Sequence, residues 1–296
     1  MDDPMPRGLD HIVHAVADLD HAADIYRALG FAVGAENHHP WGTSNRIVQL
    51  PGCFVELLAI ARPDQVTAHA PRTFSFGAFN REFLARGEGL SMLALESRNA
   101  AADADSFLAA GFGGFDLLRF ERAGRKADGS PVTVGFSLAF AVDPKARDTG
   151  FFICQQHHPQ NFWDPVLQVH PNGVSTITGV VLVAENPADH HIFLSMLAGE
   201  RNLHATSAGM TVPTPRGAIE VMSPVAFSAG FGVPPDLSHG ARLAAVRFAV
   251  PDVAAVRARL REGGITAISE RKDRLVVPAE AAHGATLVFE REARGG

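Results

Sequence analysis

Histidine is the residue this chain carries in excess: fourteen in 296 residues, six of them in the adjacent pairs His38-His39, His157-His158 and His190-His191. Imidazoles ligate metals and move protons near neutral pH, so both chemistries are open. Glu56 adds a carboxylate between Val55 and Leu57 in the apolar run CFVELLAI. An unpaired buried charge there would be costly, so a metal ion, an arginine or a raised pKa is expected beside it. Arg46 is the evident non-metal partner. The loop HHPWGTSN, residues 38–45, supplies His39, Trp41 and Asn45: a polar ring, a stacking face and an oriented amide that could meet a small molecule, or could equally fold a turn and plug the core. Arg46 and Trp163 are further candidate substrate contacts; Trp163, with Asn161 and Phe162, could instead be buried between the two halves of the chain. Cys53 and Cys154 make neither a disulfide framework nor a CxxC metal knuckle, and apolar flanks should bury Cys154 and raise its pKa.

The other histidines offer less. His190 and His191 share a helical stretch with Phe193 and Leu194, so one should pack and the other meet solvent. His14, His21, His69, His170, His204, His239 and His283 have no partner at metal spacing and read as surface or capping residues. The sequence has no GxSxG, GxxxxGK[ST] or HExxH motif, and GFGG at 111–114 follows a helix instead of opening one, the wrong context for a dinucleotide site.

The elements that must position these residues repeat four times. LDHIVHAV reads as a strand, DLDHAADIYRALG as a helix, and FAVGAENH, NRIVQL and CFVELLAI as three strands separated by turns. The order returns from GLSMLALE, from ITGVVLVAE and from LAAVRFAV. Aligned on the helix-ending glycines Gly30, Gly111, Gly199 and Gly264, the residue twelve earlier is Asp18, Asn99, Pro187 or Asp252, three N-cap types and a proline suited to the first helical position. The fold expected is α+β: four tandem βαβββ units forming two cup-shaped mixed β-sheets with flanking helices. The halves should be 1–165 and 166–296, with the break in the Pro- and Asn-rich 159–174. A second connector, 62–88, should hold a short helix that buries its phenylalanines against the sheet.

Repeated βαβββ units with a histidine in the first strand (DHIVHAV) and a glutamate in the fourth (GCFVELL) resemble the vicinal oxygen chelate superfamily of glyoxalases, bleomycin-resistance proteins and extradiol dioxygenases, in particular its bacterial glyoxalase-like branch, whose signature is similar to HPWGTSNRIVQLPGCFVELLAI here. The resemblance implies a cup that holds a divalent metal ion, Fe, Mn, Ni or Zn, on inward-pointing His and Glu side chains, with open positions where adjacent substrate oxygens are polarised. Strand alternation would face His11 and Val13, and Phe54 and Glu56, into the cup, and His14 away from it. At the positions aligned with His11 stand Met92, Val180 and Ala245, none of them an imidazole, so the usual ligand set is incomplete. A dioxygenase site in the second half is therefore not expected, and that half should be largely structural. His11 and Glu56 supply two ligands, and CQQHHPQNFW at 154–163 is the source of the third. Periodicity does not choose there: an extended strand puts Gln156 and His158 on the face of Cys154, a one-residue bulge puts His157 there. His157 is the residue expected. Glu56 or Gln156 would handle the proton.

The function so implied is a glyoxalase-like, divalent-metal-dependent lyase or isomerase acting on a small oxygenated molecule. The alternatives are a metal-free small-molecule binder of the same fold, a divergent dioxygenase, or a scaffold whose cups are filled. With 26 Lys+Arg against 32 Asp+Glu, a formal charge of −6 and no basic stripe, nucleic acid is not expected as a partner. An acidic start and no run of about 18 uncharged apolar residues argue for a cytoplasmic protein without membrane contact, a monomer or homodimer.

Overall fold

The structure, a computed structural model, describes residues 5–125, 130–271 and 273–292. Unit one runs β1 (Leu9–Ala15), α1 (Leu19–Ala28), β2 (Asn37–His38), β3 (Thr43–Leu50) and β4 (Cys53–Ile60). A connector carrying α2 (Phe76–Leu84) leads to β5 (Gly89–Glu96), α3 (Ala100–Ala109), β6 (Leu118–Arg125), β7 (Pro131–Ala141) and β8 (Gly150–Gln156). After the one-turn α4 (Pro159–Phe162) come β9 (Thr176–Val183), α5 (His191–Ala198), β10 (His204–Thr206), β11 (Gly209–Pro213) and β12 (Ala218–Met222). A second connecting helix, α6 (Pro224–Phe231), precedes β13 (Arg242–Val250), α7 (Val253–Glu262), β14 (Ser269–Arg271), β15 (Arg274–Val277) and β16 (Thr286–Arg291). No helix among the described residues is long and apolar enough to cross a membrane.

The repeat is written in the caps. Asp18 and Asn99 accept from the amides of His21 and Ala102, and Asp252 from that of Ala254, satisfying first-turn N–H groups that would otherwise lack partners. Gly30, Gly111, Gly199 and Gly264 all take positive φ, between 65° and 86°, where a side chain would be strained. The expected strand FAVGAENH shrinks to the two residues of β2, because only Asn37 and His38 pair with β3; farther back only Gly34 bonds across, to Ile47.

Each half closes into one eight-stranded sheet, in the orders β2-β3-β4-β1-β5-β8-β7-β6 and β10-β11-β12-β9-β13-β16-β15-β14. First and last strands of every unit pair in parallel, and two units meet antiparallel along β1–β5 or β9–β13. Residues alternate between two environments. One set, including Ile12, Val55, Leu93 and Ile153, joins Tyr26, Phe107, Phe193 and Leu260 of the helices and the matching strand positions of the second half in one core. The other set lines the cups. Val13, Leu58, Met92, Phe152 and Cys154 line the first with Phe76 of α2. In the second, Val181, Val183, Ala245 and Val288 pack on Phe227 and Phe231 of α6.

Two histidines read as surface or capping residues are buried where the two halves meet. His14 is fully enclosed, donating from Nε2 to the carbonyl of His283 (2.8 Å) and accepting at Nδ1 from the Tyr26 hydroxyl (2.9 Å). Burial is the main cause that pushes its pKa down to about 4. His170 bridges the Ala32 amide and the Gln49 carbonyl. Of the helical pair, His190 is buried against Asp143 and His191 is exposed.

Candidate metal and substrate site in the first cup

Alternation along β1, β3 and β4 delivers His11, Asn45 and Glu56 to the interior of the first cup. They line a small cavity of about 40 Å³ with His39, Trp41, Cys154, Arg122 and a wall of phenylalanines, among them Phe54, Phe120, Phe152 and Phe162. His11 stacks on Phe54 with ring centroids 4.3 Å apart, and His39 on Trp41 at 4.8 Å. Just outside lies an open groove of about 530 Å³, lined by Gly34, Asn37, Gln49, Asn161 and Trp163. Cavity and groove share Ile47, Arg122 and Phe162, which form the neck between them.

A residue that strand alternation hides completes the site. Asp10 should point away from His11, but Leu9 and His11 pair with the adjacent Leu95 and Ala94, so Asp10 is a bulge. Both side chains then reach one another: Asp10 Oδ1 holds His11 Nδ1 at 2.5 Å, and Asp10 Oδ2 accepts from Gln156 Nε2 at 3.0 Å. The bulge recurs at Ser91, Thr178 and Ala244 in the other first strands. The sequence signal available was the Asp-His pair at a position that bulges in units one, two and four and one residue earlier in unit three.

With Nδ1 held by Asp10, His11 presents Nε2 to Glu56 Oε2 across 3.8 Å, beyond hydrogen-bonding distance. Asn45 Nδ2 donates to Glu56 Oε1 at 2.5 Å and also lies 3.3 Å from His39 Nε2, while His39 Nδ1 pairs with Thr43 Oγ1 at 2.8 Å. Burial raises the Glu56 carboxyl, against the opposing effects of His11, Asn45 and Arg122. It lowers His39 to about 3, so that ring is neutral. Cys154 is enclosed, and burial first, then the charges of Asp10 and Glu56, push its thiol well up; an unactivated thiol results.

Arg46 is not the partner of Glu56. It follows Asn45 in β3 and so faces the other way, onto Asp20 of α1 at 2.7 Å. Nor is it in the cavity as a substrate contact. The arginine that faces the cup is Arg122 of β6, whose pKa burial lowers and Glu56 raises. His157 is not brought to His11 and Glu56 either. Strand β8 stays extended through Gln156, which pairs with Phe136, so Cys154 and Gln156 share a face; His157 lies past the strand end, exposed, with Nε2 2.8 Å from Ser137 Oγ. Trp163 lines the groove, not the cavity.

The donor set suits a divalent ion. Two donors each about 2.1 Å from a shared ion are separated by roughly what His11 Nε2 and Glu56 Oε2 show, and a carboxylate on the far nitrogen is the usual support of a ligating imidazole. Asp10, His11 and Cys154 each bring a donor atom within 4.8 Å of the others. Gln156 Oε1 is a buried acceptor with no partner, available as a further oxygen ligand.

Comparison with known proteins places this arrangement. A family model described as a glyoxalase-like domain matches residues 9–197. No curated protein sequence matches the chain. Among solved structures, a hypothetical protein from Staphylococcus aureus superposes with TM-score 0.66 at 12% identity, covering 97% of this chain and 100% of that one. A mutant 4-hydroxymandelate synthase from Streptomyces coelicolor gives 0.56 at 12% identity, over 99% and 95%. A fusion of a xylose isomerase-like TIM barrel with 4-hydroxyphenylpyruvate dioxygenase gives 0.53 at 12% identity, over 100% of this chain and 51% of that one. At that identity the likeness is one of fold.

Proposed function

Because the chain belongs to the glyoxalase-like domain family of the vicinal oxygen chelate superfamily, we propose that it is a divalent-metal-dependent lyase or isomerase acting on a small oxygenated molecule in the first cup. One observation carries this reading: a buried Asp10–His11 pair aims Nε2 at Glu56 Oε2 across 3.8 Å inside an apolar cavity. His11 and Glu56 would hold the ion, with Asp10 orienting the imidazole and the free Gln156 Oε1 in reserve as an oxygen ligand. The ion would supply Lewis-acid polarisation of adjacent substrate oxygens.

The chain's own residues do the rest. Glu56, where it is not held on the ion, is the candidate base for a proton beside a carbonyl, placed by the Asn45 amide. Gln156 has no proton of suitable acidity to exchange; its amide, donating to Asp10, positions the pair. The phenylalanine wall excludes water, which strengthens every charge interaction inside. A dioxygenase reading would find no support in the second half, where Val180 and Ala245 are buried apolar residues. Metal-free binding is the second reading, favoured by Arg122, a cation that can balance Glu56 without an ion.

Metal content by mass spectrometry on tag-free protein separates the two. Near-stoichiometric Fe, Mn, Ni or Zn in the wild type, lost in both His11→Ala and Glu56→Gln, is the expected result. Wild-type protein that stays metal-free after supplementation with each ion would sink the metal-dependent reading.

A further inference from the structure

Arg122 sits at the neck of the first cup, lining both the small inner cavity and the outer groove. A guanidinium carries five N–H donors in a planar fork, and it is seldom left without an acceptor when partly buried. Among the described residues Arg122 makes no hydrogen bond or close ion pair, and Glu56 acts on it as a charge at longer range. The other arginines in comparable surroundings are engaged: Arg7 holds Asp103 and backbone carbonyls, Arg216 holds Glu96, and Arg247 lies between Glu220 and Glu290. Arg122 is held in place from below, because β6 pairs with β7 through Arg122↔Val134, and its neighbours on the cup face are Phe120 and Gly124. A Cβ at Gly124 would stand 4.0 Å from Arg122 Nη1 and 3.3 Å from Val132 Cγ2, so glycine keeps a side chain from crowding the guanidinium.

A second donor on the cavity wall also lacks a partner. Trp41 Nε1–H is buried without an acceptor, and its ring is fixed by stacking on His39 and by edge contact with Phe120 at 4.7 Å. The site thus has two donors without acceptors, Arg122 at the neck and Trp41 Nε1 on the cavity wall, above a Glu56 carboxylate whose donor is the Asn45 amide. Around it the surfaces are aromatic, with Phe162 against both Phe54 and Phe136. A cavity of about 40 Å³ takes a group of a few atoms, whereas the groove has room for a small organic body beside Trp163 and Leu167. The groove also holds one acid, Asp164, whose Oδ1 accepts from the Val166 amide.

The geometry points to a carboxylate-bearing substrate: Arg122 grips its anionic oxygens at the neck while an apolar or aromatic body lies in the outer groove. The assignment deepens the reading of the first cup as the functional site, but it does not depend on a bound metal. Bidentate pairing makes Arg122 a specificity-determining residue, selecting an acid over its neutral analogue.

Both tryptophans of the chain, Trp41 and Trp163, line the site, so intrinsic fluorescence reports occupancy directly. The probes are benzoate, phenylacetate and hexanoate, each beside its amide, titrated into protein dialysed against a chelator. At least one acid should bind saturably and about tenfold or more tighter than its amide, the worth of a charge-assisted pair. Arg122→Gln should remove that preference, bringing acid and amide to within about twofold of one another, and Arg122→Lys should restore part of it, since lysine supplies charge without the fork. Thermal melts of each variant, matching the wild type, would show that the fold is intact. The inference is overturned if no acid is preferred over its amide, or if Arg122→Gln keeps the preference. Chelator-treated protein makes the two readings separable: loss of the metal reading leaves the acid preference standing, and a stoichiometric metal with an Arg122-independent profile removes this inference alone.

Discussion

Glu56 is a buried carboxyl in the first cup, on a central strand beside Phe54 and Leu58 with one amide for a donor. Burial raises its pKa, so the folded chain binds this proton more tightly than the unfolded chain does. By linkage its contribution is favourable at acid pH and is lost as pH rises through the folded pKa. In chelator-treated protein, Glu56→Gln should therefore be more stable than the wild type by about 1 kcal/mol or more at neutral pH. The gap should close toward the ordinary value of 4.5. Urea titrations at several pH values test this, and a variant less stable than the wild type at neutral pH would mean that the charged form is well solvated. His11 and Glu56 were legible in the sequence because period-two alternation survives wherever a strand is regular. Asp10 was not, because a bulge breaks that period. Arg122 was not either: it shares the cup with Glu56 through sheet closure alone, with no local signal linking the two.

At the scale of elements, the two connecting helices meet their cups in different ways. Phe76 of α2 lies against the rim of the first cup and leaves the volume around His11 open. Phe227 and Phe231 of α6 occupy the second, packed at 4.9 Å on each other and on Val181, Val183 and Val288. The sequence showed a phenylalanine-rich helix in the first connector, but nothing in PVAFSAGF distinguished a plug from a lid. Truncating Phe227 to alanine should cost about 3 to 5 kcal/mol, the toll of a fully buried aromatic. Ligand binding in the first cup should stay within twofold of the wild type, since the two cup linings are separate clusters. Denaturant midpoints beside the fluorescence titration measure both, and a parallel loss of binding would tie the second cup to the first.

Across the whole molecule the halves are joined by buried polar contacts as well as by the shared core. Arg7 donates to the carbonyl of Leu197, Arg216 to that of Leu9, and His14 to that of His283. The four-unit pattern read in caps and glycines foretold two sheets but not this seam, because its partners lie from 190 to 269 residues apart. His14 makes the seam sensitive to acid. Its folded pKa of about 4 lies below the ordinary 6.5, so as pH falls the unfolded chain takes up a proton that the folded chain refuses. Stability from this group is present above 6.5, declines through the interval, and is lost by about 4, amounting to about 3 kcal/mol in all. Glu88, bonded to His283 Nδ1, and His21, packed on the His283 ring, also face this seam, so the comparison must isolate His14. Replacement by glutamine keeps a donor for the His283 carbonyl and removes the titration. His14→Gln should then lose less stability than the wild type between neutral pH and about 4, even if it starts lower because of the Tyr26 contact. Equal acid slopes for the two proteins would show that His14 is protonated in place and that the seam opens for another reason.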